Sequence, residues 1–275
     1  MNDHSSPESP TPHRRRVRYA GKYPRKFSEK YKEHRPDQYP ETVAKVIASG
    51  KTPAGTHLPI MVDEILEALS PQPGNIVVDC TLGYGGHTQS ILPKIAPGGR
   101  LIGLDVDPLE QPKTEERLRS LGFGPDVFQP KRSNFAGILK VLHEEKIEGA
   151  DCILADLGIS SMQIDNPERG FSVKREGPLD MRMNPNKGQP ASVLLEKVKA
   201  EDLAAMLLEN SDEPHSKVLG EKLAGKKFPT TFSLTEAIRE SLPRMKEEDR
   251  DLSVRRVFQA LRIEVNEEWN ALETL

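Results

Sequence analysis

The sequence is poor in aromatic residues and in cysteine, and it has no long apolar run. Aromatic residues make up 5% of the chain and charged residues 29%, which predicts a soluble protein with an aliphatic core. No apolar stretch approaches the length of a membrane span, and none follows the basic N-terminus as it would in a secretory signal. The two cysteines, Cys80 and Cys152, lie in apolar runs and outside any metal-ligand spacing. We therefore expect a cytoplasmic protein without a metal site and without a membrane partner.

A glycine-rich turn follows the short apolar run at residues 76–79. It contains Gly83, Gly85 and Gly86, and a second apolar run further along the chain ends in Asp105. This spacing predicts a strand–helix–strand unit in which glycines let the backbone approach a ligand closely. An acid at the end of the second strand can accept hydrogen bonds from ribose hydroxyls. The sequence therefore predicts a nucleoside pocket.

The turn lacks the features that hold a pyrophosphate. The run Gly83-Tyr-Gly-Gly-His-Thr88 does not have the third glycine of the dinucleotide fingerprint. It also lacks the Lys-Ser or Lys-Thr pair of a phosphate-binding loop. A ribose-binding acid without a pyrophosphate cradle favours S-adenosylmethionine, and hence a methyltransferase. An NAD-dependent oxidoreductase is the alternative.

Strand and helix patterns alternate from residue 76 onward, after a helical pattern around residues 62–69. This order predicts an α/β fold with a doubly wound, mostly parallel sheet. Ligands of such sheets bind beyond the carboxyl ends of the strands, where we expect Asp79, Asp105 and Asp156, with Phe135 in the loop after the third strand. The predicted strands are 76–80, 101–105, 126–129 and 151–155, and the predicted helices lie near 86–96, 112–121 and 134–145.

The pattern changes after the fourth strand. Residues 165–190 are rich in Gly, Pro, Asn and charge and predict an irregular loop, and residues 191–250 show helical periodicity. We interpret this region as a helical insertion for substrate recognition. The last apolar positions predict one helical face that packs on the sheet, with Trp269 in the core; they are Val257, Leu261, Val265, Trp269 and Leu272.

A basic segment with interleaved aromatic residues spans residues 14–35. It carries ten arginines and lysines against Glu29 and Glu33, with Tyr19, Tyr23, Phe27 and Tyr31 between them. Such a segment can neutralise phosphates and stack on bases. A solvated tail is the alternative interpretation.

Several stretches resemble the RsmH (MraW) family of small-subunit rRNA cytosine-N4 methyltransferases, from about His57 to the end of the chain. The resemblance implies a class I S-adenosylmethionine-dependent methyltransferase, Rossmann-like, with an inserted helical domain. The stretches are His57-Leu-Pro-Ile-Met-Val-Asp-Glu-Ile-Leu66, Gly83-Tyr-Gly-Gly-His87, Asp156-Leu-Gly-Ile-Ser-Ser161 with Gln163, Glu168-Arg-Gly-Phe-Ser172, Gly177-Pro-Leu-Asp-Met-Arg-Met183 and Phe258-Gln-Ala-Leu-Arg-Ile263.

The resemblance also implies roles for individual residues and an rRNA or ribosomal-particle substrate. Our hypothesis from the chemistry of the cytosine amine is that Asp156, or a backbone carbonyl in residues 157–160, takes its proton, and Ser160 is the second catalytic candidate. The alternative is that Asp156 positions the cofactor or caps the loop and has no proton role. The cofactor-binding candidates are Gly83, Gly85, Gly86, His87, Asp105, Phe135, Asp156 and Gln163.

The substrate-binding candidates each have a second interpretation. Arginine side chains could contact phosphates or brace the loop through salt bridges. Phe171 could stack on an extruded base or be buried in the core of the loop. The candidates are Arg169, Phe171, Asp180, Arg182 and Arg256.

The sequence departs from the family pattern in several places, which include Asn184 in place of the usual Asp after Met-Arg-Met and a longer basic arm before His57. The run Asp212-Glu-Pro-His-Ser216 replaces a Glu-Glu-Arg-Phe-Ala-like stretch, and the family continues with further strands beyond the position of Leu275. We therefore expect the cofactor half of the sheet, with the C-terminal part missing and the fourth strand at an edge. A family member that binds cofactor or RNA without turnover is the alternative function. The predicted domains are a flexible extension (1–56), a methyltransferase core (57–164), a loop and helical insertion (165–252) and a helix returning to the core (253–275).

Overall fold

The computed structural model describes residues 59–275, so the predicted extension 1–56 and its basic segment lie outside the described residues. No helix within 59–275 is both long and apolar enough to cross a membrane. The elements are α1 (Val62–Leu69), β1 (Ile76–Asp79), α2 (Gly86–Ile95), β2 (Arg100–Asp105), α3 (Gln111–Ser120), β3 (Phe128–Arg132), a 3-10 turn (Phe135–Gly137), α4 (Ile138–Glu144), β4 (Cys152–Leu154), α5 (Ser161–Asp165), a second 3-10 turn (Pro167–Arg169), α6 (Ala191–Lys197), α7 (Ala200–Ser211), α8 (Ser216–Leu223), α9 (Thr231–Ser241), α10 (Glu247–Val265) and α11 (Glu268–Thr274).

The four strands form a parallel sheet in the order β3-β2-β1-β4. β1 lies in the centre, with Val77 opposite Leu101 of β2 and Cys152 of β4. The predicted doubly wound, mostly parallel sheet is confirmed. β4 lies at one edge of the sheet, and Ile153 in its middle is 49% exposed.

Apolar side chains of the strands alternate between two cores, because successive residues of a strand point to opposite faces. Val77 and Leu101 pack with α1, α2 and α3 on one face, whereas Val78 and Ile102 pack with α4 on the other. All four side chains are fully buried, and burial of each contributes about 1.5–3 kcal/mol. Burial on both faces explains why the strands are continuous apolar runs.

The third strand begins later than predicted. The apolar residues predict a strand at 126–129, whereas the structure has it at Phe128–Arg132, paired with β2 from Leu101 to Asp105. The prediction was wrong because residues 129–132 are polar and include Pro130. Proline is tolerated here because β3 is an edge strand, so the missing N–H has no partner on the outer side.

The helices of residues 191–265 pack around a third, separate core. The irregular loop contributes to it with Phe171, Leu179 and Met181, which are 7%, 1% and 1% exposed. The loop is tied to the start of α9 by an antiparallel bridge between Pro178 and Thr230. These buried side chains fix a segment that has little regular secondary structure beyond the 3-10 turn at Pro167–Arg169.

The prediction for the C-terminal stripe was wrong in two respects. Val257 and Leu261 are buried in the core of the helical region and not on the sheet. The helix also ends at Val265, and a left-handed Glu267 starts α11 in a new direction. Trp269 is consequently 51% exposed. The five positions do not form one face because Trp269 and Leu272 belong to α11, which is separated from α10 by the left-handed Glu267.

The loop depends on a glycine that lies against another backbone segment. A methyl group on Gly177 would overlap the carbonyl of Pro167, whereas a methyl group on Gly149 would meet nothing within 4 Å. We expect Gly177→Ala to lower the free energy of unfolding by about 1–3 kcal/mol, because two backbones must separate. Gly149→Ala is the control and should be near neutral. Urea denaturation of both variants measures the effect, and equal stabilities would contradict this account.

Candidate functional site

The carboxyl ends of β1, β2 and β4 lie at one edge of the sheet, and hydrogen bonds through Thr81 link the ends of β1 and β4. The Asp156 N–H donates to Thr81 Oγ1 at 2.8 Å, and the Thr81 N–H donates to Asp79 Oδ1 at 3.0 Å. The second oxygen of Asp79 accepts the Thr88 hydroxyl at 2.7 Å. Asp79 is only 1% exposed, and burial raises its pKa. Asp79 is therefore a buried residue that fixes the positions of Thr81 and Thr88 at this edge of the sheet.

The glycine-rich turn is joined to β2 and held by α3. The Gly83 N–H donates to Asp105 Oδ2 at 2.9 Å, and Thr114 of α3 donates to the Gly83 carbonyl at 2.6 Å. Gly85 has a left-handed φ of 74°, and a methyl group there would lie 2.9 Å from Thr114 Cγ2. The corresponding methyl group on Gly86 would lie 2.7 Å from Pro59 Cδ. The small size of these two glycines is thus required by protein packing, whereas the sequence analysis attributes it to close approach of a ligand.

Arg117 of α3 clamps the same turn, and sequence reasoning missed it. Its guanidinium lies 4.1 Å above the centre of the Tyr84 ring and donates to the Tyr84 carbonyl at 2.5 Å. It also donates to Gln89 of α2 at 2.8 Å. The arginine fixes the backbone of the turn relative to the two helices.

The Asp105 carboxylate faces the turn and accepts two backbone N–H groups. These come from Gly83 and, at 2.9 Å, from Asp107. The pKa of Asp105 is raised to about 6, mainly by burial and also by the negative charges of Asp107 and Asp79. The two hydrogen bonds lower the pKa but do not offset this rise. An ionised carboxylate has about four acceptor positions, so two remain for hydroxyl donors.

His87, in the first turn of α2, lies next to Asp156. Its Nε2 is 3.5 Å from Asp156 Oδ2, and this buried nitrogen has no hydrogen-bond partner within the described residues. The Asp156 side chain is 49% exposed, whereas that of His87 is 9% exposed. The site therefore presents one accessible carboxylate and one buried nitrogen without a hydrogen bond.

Ser160 and Gln163 form a capping box at the start of α5. The Ser160 side chain accepts the Gln163 N–H, and the Gln163 side chain accepts the Ser160 N–H at 3.1 Å. The Gln163 amide also donates to Asp107 at 2.9 Å. Both side chains thus have structural partners in the protein, and a catalytic role for Ser160 stays a prediction.

Phe135 starts the 3-10 turn after β3 and is partly buried against the core on the α4 side of the sheet. The Ser133 N–H donates to the Asp105 carbonyl at 3.0 Å, which holds this loop beside the end of β2. α11 packs on the same 3-10 turn. The aromatic ring therefore belongs to the loop next to the acid of β2, as the sequence analysis expects.

Two of the substrate-binding candidates are buried. Arg169 is 4% exposed and pairs with Asp107 at 2.7 Å, which favours the loop-bracing interpretation, and a role for Arg169 in substrate binding stays a prediction. Phe171 is 7% exposed within the helical core, so it does not present a stacking face.

The remaining candidates lie nearer the surface. Asp180 and Arg182 pair with each other at 2.7 Å, with side chains 23% and 19% exposed. This pairing lowers the pKa of Asp180 and raises that of Arg182. Arg256 is partly exposed on α10, and no contact of its side chain links it to the strand ends within residues 59–275.

Asp107 was also missed by sequence reasoning. It is fully buried and accepts hydrogen bonds from both Gln163 and Arg169. The repeated acid in Asp105-Val-Asp107, directly after a strand, is the signal that could have indicated it. One acid of this pair faces the glycine turn and the other organises the loop behind it.

A four-stranded parallel sheet with this turn and these acids at its carboxyl-end edge defines a Rossmann-like methyltransferase fold. The family model described as the MraW methylase family matches residues 54–275. The chain belongs to this family.

Similar proteins carry related names. Ribosomal RNA small subunit methyltransferase H 1 of Agathobacter rectalis is 48% identical over 269 residues, which cover 94% of this chain and 76% of that protein. The protein of the same name from Lachnoclostridium phytofermentans is 47% identical over 269 residues, 94% of this chain and 73% of that protein. Ribosomal RNA small subunit methyltransferase H of Trichlorobacter lovleyi is 39% identical over 221 residues, 79% of this chain and 70% of that protein.

The raised pKa of Asp105 makes a prediction about stability. The ordinary pKa of an aspartate is 3.8, and that of Asp105 in the folded protein is about 6. Between these two pH values the folded protein binds more protons at Asp105 than the unfolded chain does. The free energy of unfolding that Asp105 contributes should therefore fall as pH rises through this window, by roughly 3 kcal/mol in total. The difference in unfolding free energy between the wild type and Asp105→Asn, measured by urea denaturation at several pH values, should show this fall.

Asp126→Asn serves as the control for that experiment, because Asp126 is exposed. This control should change the free energy of unfolding by no more than about 0.5 kcal/mol, the usual effect of a surface substitution. A flat or rising difference for Asp105→Asn would contradict the assigned pKa.

Proposed function

We propose that this protein transfers a methyl group from S-adenosylmethionine to the N4 amine of a cytosine in small-subunit (16S) rRNA, in the cytoplasm. The observation that carries the proposal is the bonded cluster of strand-end acids, in which Asp156 is accessible beside His87 at 3.5 Å. Membership of the MraW methylase family and the names of the similar proteins support the reaction and the substrate class. They leave the NAD-dependent oxidoreductase without support.

The residues present fit S-adenosylmethionine. Asp105 keeps acceptor positions for ribose hydroxyls, and the buried Nε2 of His87 lacks a hydrogen bond that a polar ligand group could supply. When bound, the cofactor supplies an electrophilic methyl group on a sulfonium. The residues proposed to hold it are Gly83, Gly85, Gly86, His87, Asp105, Phe135, Asp156 and Gln163.

The cytosine amine is a poor nucleophile because its lone pair is delocalised into the ring. An acceptor at its N–H localises that pair and takes the departing proton, and alignment of the two partners supplies much of the acceleration. Asp156 is the proposed acceptor, since its side chain is 49% exposed while its N–H is fixed on Thr81. The carbonyls of residues 157–160 are the alternative.

Ser160 is the weaker catalytic candidate. Its carbonyl accepts the N–H groups of Gln163 and Ile164 at 3.1 and 3.2 Å, and its side chain accepts the Gln163 N–H. Both groups are used to start α5. We therefore assign proton transfer to Asp156 and helix capping to Ser160.

On the substrate side, the base has to leave its stack so that its amine can reach Asp156. Asp180 and Arg182, together with Arg256, are the proposed RNA-facing residues because their side chains retain exposure. The arginine side chains of the loop and of α10 would bind the phosphate backbone of the rRNA or ribosomal particle and set its position.

Binding without turnover is a second candidate function. It is favoured by the openness of the site within the described residues, where Asp156 and Leu157 are 49% and 45% exposed. Exclusion of water usually strengthens the electrostatic interactions of a catalytic site. Calorimetric titration with S-adenosylmethionine distinguishes the outcomes when it is combined with the methylation assay below.

We expect Asp156→Ala to reduce methyl transfer about 10²–10⁴-fold, the usual contribution of general acid–base groups. The assay uses labelled S-adenosylmethionine and small-subunit particles from cells that lack the native enzyme, and mass spectrometry of nucleosides identifies N4-methylcytidine. Asp126→Ala, at an exposed acid, is the matched control and should retain activity. Near-normal turnover of Asp156→Ala would rule out the assigned role, and cofactor binding without methylation by the wild type would favour the second function.

A further inference from the structure

Asp107 is a fully buried carboxylate whose acceptor positions are all used. Oδ2 accepts Arg169 Nη1 at 2.7 Å and Gln163 Nε2 at 2.9 Å. Oδ1 accepts the backbone N–H groups of Leu109 and Glu110 at 2.9 and 3.3 Å. A buried carboxylate that accepts from four donors is held in one position.

Arg169 connects the Asp107 carboxylate to the irregular loop. Its Nη2 donates to the carbonyls of Arg182 and Met183 at 3.0 and 2.8 Å, and its own carbonyl accepts the Met181 N–H at 3.0 Å. The planar guanidinium reaches the carboxylate and two carbonyls at the same time, which a lysine ammonium does not reproduce. One side chain thus joins the end of β2 to residues 180–183, which we call the 180–183 turn.

The 180–183 turn contains a strained residue that is held from its other side as well. Met181 is 1% exposed and has a φ of 63°, a left-handed conformation that is rare for a methionine. Asn266, after α10, donates to the Met181 carbonyl at 2.8 Å and accepts the Met183 N–H at 2.7 Å. Such strain persists only where the surroundings fix the backbone, and here Arg169 and Asn266 do so together.

We propose that Asp107 and Arg169 are positioning residues that join the cofactor-binding edge to the RNA-facing loop. The pair holds Gln163 on one side and the 180–183 turn on the other, so that Asp180 and Arg182 meet the RNA in a single geometry. Asp107 also donates its N–H to Asp105 at 2.9 Å, so the same residue touches the ribose-binding acid. This inference rests on the proposed function for its RNA-facing part.

The test compares Arg169→Lys with Asp107→Asn. Arg169→Lys keeps the positive charge and removes the forked guanidinium, so the 180–183 turn should open more easily. Amide hydrogen exchange at Met181 and Met183, measured without cofactor or RNA, should therefore accelerate about tenfold or more. The KM for small-subunit rRNA should rise, while the Kd of S-adenosylmethionine changes little. Asp107→Asn also disturbs Gln163, so it should raise the exchange rates, the KM for RNA and the Kd of the cofactor together.

Arg239→Lys is the matched control, because Arg239 pairs with Asp251 at 2.6 Å between α9 and α10 and contacts neither the turn nor the strand ends. It should change none of the three readouts. If Asp107→Asn fails to fold, the double variant Asp107→Asn with Arg169→Gln avoids an unpaired buried charge and takes its place.

Unchanged exchange at Met181 and Met183 in Arg169→Lys would overturn the inference, and so would faster exchange with an unchanged KM or affinity for RNA. If the wild type methylates no RNA, the proposed function fails by itself. The hydrogen-exchange rates and the retention of RNA on filters then still test whether Asp107 and Arg169 position the 180–183 turn for RNA binding.

Discussion

A carboxylate removed from water has to be surrounded by donors, and Asp107 imposes this requirement on both halves of the protein. The donors come from the backbone after β2, from Gln163 at the start of α5 and from Arg169 at the start of the irregular loop. Removal of one partner from such a buried pair typically costs about 3–5 kcal/mol, because the other charge stays behind without compensation. The loop can therefore lack regular secondary structure and still have one conformation. The Asp107 carboxylate is therefore bonded both to residues that follow the sheet strand β2 and to the loop that packs with the helical region.

Three acids at the ends of three neighbouring strands illustrate how burial divides one residue type into different roles. Asp79 is covered completely and bonded only to the protein, so it acts as a framework residue. Asp105 is partly covered and keeps free acceptor positions beside the glycine turn. Asp156 is the accessible one, because its side chain is 49% exposed while its backbone N–H is bonded to Thr81.

The sequence predicted the sheet and the cluster of acids because both depend on local patterns. Apolar runs that end in an acid report strands buried on two faces, and parallel strands bring their carboxyl ends together. The pairing of Arg169 with Asp107 spans 62 positions of the chain, and no local pattern reports a contact of that range. The position of Trp269 was missed for a related reason, since the break after Val265 depends on a single left-handed residue, Glu267. Periodicity describes a helix while it continues, and it does not report where the chain leaves it.

The space beside the glycine turn is filled by the protein itself, with Thr114 and Leu118 against Gly85. The size of the residue at 85 and the sizes of the side chains at 114 and 118 of α3 therefore limit each other. An alanine at 85 calls for smaller side chains on the facing side of α3, and its positive φ still carries a conformational penalty. Variation at 85 among relatives should then be accompanied by variation at 114 and 118, whatever ligand the turn holds.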